Sequence, residues 1–254
     1  MKSISLIFSM FALLMLGACS NEYGSSDLSV SDSGKFVERG TNDALDGSVV
    51  ITKDAGTSLV VEFEQGYPNG RVEMQNSEGE VVLNSSFVPD QNRELGGGFG
   101  SAFINETLEK GAAKLATDDY LSLFKEFSKF NGDYFEIDGN SKKIEGQYDA
   151  GERMGRWQIY CKNGQLESDR TYARKTNEAG SELTIEIGDA RVNTCDGHVL
   201  LSAQRDNDGK LVGAYIENTK PWGKDVVKPL PKYVRNYVQG ELDGEQKEYD
   251  RNGQ

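Results

Sequence analysis

One histidine and three cysteines in 254 residues leave little of the equipment that several enzyme classes need. A Ser-His-Asp hydrolase or a histidine-rich zinc centre would have only His198 to draw on. His198 follows the turn-like Cys195-Asp196-Gly197, and with no nucleophile-elbow pattern in the chain it reads as a turn-edge residue rather than the base of a Cys195/His198 pair. Positive charge is short as well. The chain has 28 Lys and Arg against 41 Asp and Glu, a net charge of −13, and the basic residues do not cluster, which excludes nucleic acid as a partner. The triple glycine of Leu95-Gly96-Gly97-Gly98-Phe99-Gly100 has no Gly-Lys-Ser/Thr after it and reads as a loop, not a phosphate cradle. Asp206-Asn207-Asp208-Gly209 has Gln204 and Tyr215 where a calcium loop carries its first and last acids, so it reads as a surface turn. No catalytic residue, metal or cofactor is expected. A carboxylate-based hydrolase is kept as a minor alternative, because the spacing of acids in sequence says nothing about their separation in space.

Long apolar runs are also missing, with one exception at the start. Lys2 precedes Ile4, Leu6, Ile7, Phe8, Met10, Phe11, Leu13, Leu14 and Leu16, a charged n-region and an apolar h-region too short to span a bilayer comfortably. The run ends in Leu16-Gly17-Ala18-Cys19, which resembles the bacterial lipobox. That resemblance implies removal of residues 1–18, a diacylglyceryl thioether on Cys19 and attachment to the membrane through lipid. Ser20 stands where lipoproteins kept in the inner membrane often carry aspartate, so the outer membrane is the expected destination in a Gram-negative cell. Residues 19–45 are expected to form the lipidated N-terminus and a flexible tether, since Ser20 to Lys35 is rich in Ser, Gly, Asn and Asp. Export also favours disulfides, and Cys161 and Cys195 are the two cysteines left. They are expected to pair, with two buried thiols as the alternative.

Glycine, by contrast, is plentiful: 29 residues spread along the chain favour a turn-rich β protein. Three segments share one spacing: Phe63 to Glu80, Tyr148 to Gln165 and Tyr237 to Gln254. Tyr148, Gly151, Gly155, Tyr160, Asn163, Gly164 and Gln165 match Tyr237, Gly240, Gly244, Tyr249, Asn252, Gly253 and Gln254 without a gap, whereas the first copy keeps mainly Gly66, Gly70 and Gly79. Each unit reads as strand, turn and strand, with Asn163-Gly164 suited to a type I′ turn.

The run Gly146-Gln147-Tyr148-Asp149-Ala150-Gly151, then Gly155-Arg156-Trp157-Gln158-Ile159-Tyr160 and Asn163-Gly164-Gln165-Leu166 resembles the MORN-repeat-variant family, and Tyr237 to Gln254 resembles a second copy. The resemblance implies meandering antiparallel hairpins that serve as binding surfaces, without catalytic residues. Bacterial proteins of this family include antitoxin or immunity components of toxin–antitoxin modules and exported lipoproteins. Here the copies are separated rather than in tandem, and Gln246 replaces the Trp seen at 157.

The expected fold is therefore mainly β, with hairpin repeats and one or two inserted helices. Residues 46–104 form an N-terminal β region with the degenerate repeat, 105–131 a helical insertion, and 132–254 a β repeat region with units at 144–167 and 235–254. Apolar residues at helical spacing, Leu108, Ala112 and Leu115, then Tyr120, Leu121, Phe124 and Phe127, place helices packed across the sheet, with Thr117 or Asp118 as a cap and Asn131-Gly132 as a stop. Trp222 to Tyr233 reads as an extended connector. The expected function is a lipid-anchored, non-enzymatic binding module of the bacterial cell envelope, with an aromatic and acidic face containing Tyr148, Trp157, Tyr160, Tyr237 and Tyr249 that engages a protein partner. An antitoxin or immunity protein against a toxin is its sharp form, and a structural or assembly lipoprotein of an envelope complex is the alternative.

Overall fold

A computed structural model describes residues 21–53, 56–90, 99–111, 115–219 and 229–250. Cys19, the apolar segment before it, the triple glycine and most of the expected connector after Trp222 lie outside the described residues. The chain opens with β1 (Asn21–Tyr23), a 3-10 turn at 25–27, and the hairpin of β2 (Leu28–Val30) and β3 (Phe36–Glu38). A meander follows through β4 (Gly47–Thr52), β5 (Ser58–Glu64), β6 (Tyr67–Gln75) and β7 (Val81–Pro89). Two helices, α1 (Phe99–Gly111) and α2 (Thr117–Lys125), interrupt it. It resumes with β8 (Ser128–Ile137), β9 (Lys143–Asp149), β10 (Glu152–Tyr160), β11 (Leu166–Thr176), β12 (Glu182–Asn193) and β13 (Val199–Arg205). Last come β14 (Gly213–Asn218), β15 (Pro231–Val238), β16 (Glu241–Leu242) and β17 (Lys247–Glu248). From β4 to β16 every strand pairs antiparallel with its neighbour in sequence; β1 adds parallel to β4, and β17 joins β16 on β15. The protein is thus mainly β, one long meandering sheet of hairpins carrying two helices.

Alternation along the early strands sets the core. Val49 and Ile51 of β4, Leu59, Val61 and Phe63 of β5, Val72 of β6 and Phe87 of β7 all point to one face and are buried. A second layer covers that face: α2 packs on β5 and β8, and α1 packs on β2. The expected flexible tether is part of this layer. Leu28, Phe36 and Leu45 are fully buried and Val30 is 2% exposed, because the polar residues around them form turns that turn these side chains inward. Phe36 lies edge-on to Phe63, Phe124 and Phe127, with ring centroids 5.3, 5.4 and 4.6 Å away. Asn105 of α1 completes the layer: its Oδ1 accepts from the Val30 N–H at 2.6 Å and its Nδ2 donates to the Val30 carbonyl at 2.7 Å, as a neighbouring strand would.

The helical insertion begins earlier and ends earlier than expected. Residues from Ser128 belong to β8, and Asn131-Gly132 falls within that strand rather than stopping a helix, because Phe130 pairs with and stacks on Phe87. Neither expected residue caps α2. Ala116 is the N-cap, and Asp119 accepts its N–H at 2.7 Å.

The three copies of the sequence pattern become three equivalent hairpins of one sheet, β5–β6, β9–β10 and β15–β16. Each turns through a two-residue link with positive φ at both positions: Gln65-Gly66, Ala150-Gly151 and Gln239-Gly240. In each, the glycine N–H donates to a carbonyl of an adjoining segment, Leu45, Phe130 or Leu211, at 2.8 Å. The expected type I′ turn therefore sits at the first glycine of the pattern and not at Asn163-Gly164. That dipeptide lies in a three-residue loop in which Gly164 alone has positive φ, closed by Gly164 N–H to Cys161 O and Cys161 N–H to Gln165 O.

Cys161, at the β10–β11 turn, and Cys195, at the β12–β13 turn, form a disulfide with a Cα–Cα distance of 5.7 Å. It ties two alternate hairpins at one end of the sheet, and Asn163 Nδ2 adds a hydrogen bond to the Cys195 carbonyl at 2.9 Å. The bond closes a loop 34 residues apart in sequence, so replacing both cysteines with alanine is expected to lower stability by about 3–4 kcal/mol, read from urea unfolding curves. An unchanged midpoint would show that the hairpins hold each other without the cross-link.

Candidate functional site

The core face of the sheet runs on past its cover. An aromatic chain leads outward: Phe130 to Tyr148 at 5.6 Å, Tyr148 to Trp157 at 4.8 Å, and Tyr134 to Trp157 at 5.6 Å. Trp157 is 4% exposed, and it marks the rim of the main hydrophobic cluster. Its indole N–H donates to the Gln147 carbonyl at 3.1 Å, and its ring lies against Gly146, where any side chain would clash with the indole. Gln246 takes the equivalent place in the last hairpin and sends its amide to the Asn236 carbonyl at 3.4 Å, so an amide replaces the indole N–H where, among the described residues, no second layer covers the sheet.

Beyond Trp157 the same face is half-exposed out to β15, apart from the buried small pair Ala190 and Ala203. Directly opposed residues define it: Trp157 faces Arg170, Tyr172 faces Glu186, Ala190 faces Ala203, Leu201 faces Glu217, Tyr215 faces Arg235 and Gly213 faces Tyr237. Glu186 is held between Arg170 at 2.7 Å and Arg205 at 3.6 Å. Arg153 lies over the Trp157 ring, 4.6 Å from its centroid. Burial works against the charge of Arg153, but hydrogen bonds to Tyr172 and Tyr148 outweigh it and raise its pKa. Burial, reinforced by a 2.6 Å hydrogen bond to Glu136, pushes the Tyr134 hydroxyl well above its ordinary range.

Three of the expected face residues share this surface. Tyr148 and Trp157 touch, and Tyr237 lies farther along, 6.1 Å from Tyr215. Tyr160 points to the opposite face, where Lys143 lies over both its ring and that of Phe135. Tyr249 sits beyond β17 at the sheet's last edge, with its N–H on the Lys232 carbonyl. This face is mixed in charge rather than acidic: Arg153, Arg170, Arg205 and Arg235 lie on it together with Glu186 and Glu217. Sequence reading missed these arginines and Tyr172, although Arg170, Tyr172 and Arg174 alternate along β11; the register shifts at the bulges in β10 and β11 hide how strands combine.

The other candidate chemistries are accounted for locally. Cys195 is committed to the disulfide, and the His198 N–H donates to Thr194 Oγ1 within a turn. Asp206 accepts from the N–H groups of Asp208 and Lys210, and Asp208 pairs with Lys175 at 2.9 Å, so these acids shape a hairpin loop. An open groove of about 490 Å³ contains Asp133 and Glu145. Asp133 accepts from Gln147 at 2.7 Å and Glu145 pairs with Lys143 at 2.6 Å. No protein-family model matches the chain, and no curated protein matches it.

Gly146→Ala would push a methyl group into the Trp157 ring and is expected to cost about 1–3 kcal/mol, with altered tryptophan fluorescence. At the far end, a hydrogen bond from Lys232 and another from Tyr215 hold Glu217 below the ordinary carboxylate range against the opposing effect of burial, while burial and Glu217 push Tyr215 up to about 12. A depressed folded pKa means that Glu217's contribution is complete above its unfolded value of about 4.3 and is lost as pH falls through the lower folded value. The stability gap between the parent and Glu217→Gln, measured by denaturation at several pH values, should therefore close on acidification; a gap that stays constant would contradict this.

Proposed function

We propose that the protein is a non-enzymatic binding module of the bacterial envelope, held there by lipid on Cys19, whose uncovered sheet face engages a protein partner. The observation that carries the reading is the mismatch between the sheet and its cover. Strands β4 to β8 bury their core face under the helices and the β2–β3 hairpin, yet the same face continues to β15 with tyrosine rings and guanidiniums half in water. A sheet that needed only stability would have little use for Tyr215 and Tyr237, partly exposed and away from the core cluster, whereas large amphipathic side chains are what binding surfaces favour. The spacing of the three hairpins supports kinship with MORN-repeat-variant proteins, and with it an antitoxin or immunity role against a toxin. Docking to an envelope complex as an assembly lipoprotein uses the same face.

The test is affinity capture of the acylated, detergent-solubilised protein from its own cells, with Tyr172→Ala/Tyr237→Ala and Cys19→Ala variants alongside. One stoichiometric partner is expected, lost with the tyrosine variant and, for a membrane-held partner, reduced with Cys19→Ala. A toxin as that partner would identify immunity and envelope machinery would identify assembly. Partners unaffected by the tyrosine variant would overturn the assignment of this face.

A further inference from the structure

We propose that the strip made by Arg153, Arg170 and Arg205 is the docking site for an acidic, extended polypeptide segment of the partner. This rests on the binding-module reading above and narrows it. A chain of net charge −13 places three guanidiniums together on β10, β11 and β13 with one carboxylate, Glu186, between two of them. Arg153 has no carboxylate partner among the described residues; it is held by Tyr148, Tyr172 and the Trp157 ring. The strip therefore carries positive charge beyond what Glu186 neutralises, and the Arg170 and Arg205 side chains are still 33% and 30% exposed.

Geometry selects the ligand. Strands lie about 4.8 Å apart, so β10 to β13 span about 14 Å, the reach of about four residues of extended chain. Acidic side chains on alternate residues of such a segment would meet successive guanidiniums, whose planar forks match carboxylates in bidentate pairs. Tyr148 and Tyr172 flank the strip, packed against the edge of the core and hydrogen-bonded to Arg153, which fixes its guanidinium in place. At its covered end, a cleft of about 320 Å³ lined by Lys125, Lys129, Phe130, Tyr148, Gly151 and Glu152 gives the segment room to enter, with Lys125 lying over the Phe130 ring. A single polypeptide strand fits along the strip beside the helical layer, whose α2 packs on β5 and β8.

The experiment uses the full-length protein and a fluorescein-labelled peptide of alternating Glu and Ser, followed by anisotropy at low and physiological salt. Saturable binding is expected at low salt, weakened about tenfold by Arg153→Gln and by a similar factor at physiological salt, and unchanged by Arg191→Gln on the opposite face. Circular dichroism melts of each variant separate loss of binding from loss of fold, and Arg153→Lys, which keeps the charge but not the fork, should restore only part of the affinity. Equal losses in Arg153→Gln and Arg191→Gln would overturn the inference, as would preference for phosphatidylglycerol vesicles or polygalacturonate over the peptide. If the peptide fails to bind while a captured partner still depends on Tyr172 and Tyr237, the acidic-segment inference falls and the binding-module reading stands.

Discussion

The packing of Phe36 against Phe63, Phe124 and Phe127 is the contact through which the N-terminal hairpin, the helices and the sheet become one body. One ring comes from the hairpin before the sheet, one from β5, one from α2 and one from the link into β8. Burial of such a ring is worth on the order of 2–3 kcal/mol, and its larger effect is geometric: it fixes where the cover ends. Tyr148 and Trp157 lie at that boundary, where the last large rings close the core against water.

Past the boundary the sheet has no second layer among the described residues, so its stability must come from within the strands. Backbone ladders satisfy the polar groups, and long side chains lie along their neighbours, covering apolar area with their stems while their charged ends reach solvent. Arg156 bridges to Asp169, Arg170 and Arg205 bracket Glu186, and Arg174 reaches both Asp149 and Glu182. Exposed pairs of this kind contribute little singly, and the disulfide between alternate turns adds the constraint they lack. The same economy leaves the face open: a surface stabilised by arginine and tyrosine rather than by burial is already suited to hold another chain.

Much of this was legible in residue order. Glycine spacing located the hairpins because only a few residue types tolerate positive φ at a tight turn, and the same spacing recurs at Gly66, Gly151 and Gly240. The two helices were visible as a change of period. Their limits were not, since Phe130 obeys its pairing with Phe87 rather than its helical spacing from Phe127. The polar segment before Phe36 misled for a related reason: composition averages over residues, while burial depends on a few, and Leu28, Val30 and Phe36 are enough to fold it down.

The sequence by itself determined the β meander, the three related hairpins and the pair of cysteines available for a cross-link, because turn chemistry and strand alternation are local. Only the tertiary structure decided which aromatic residues share a face and which charges accompany them. Bulges shift the register between strands, so Tyr148 and Trp157 touch and Tyr237 shares their face five strands away while Tyr160 points to the other, and Arg153, Arg170 and Arg205, distant in sequence, lie on one strip.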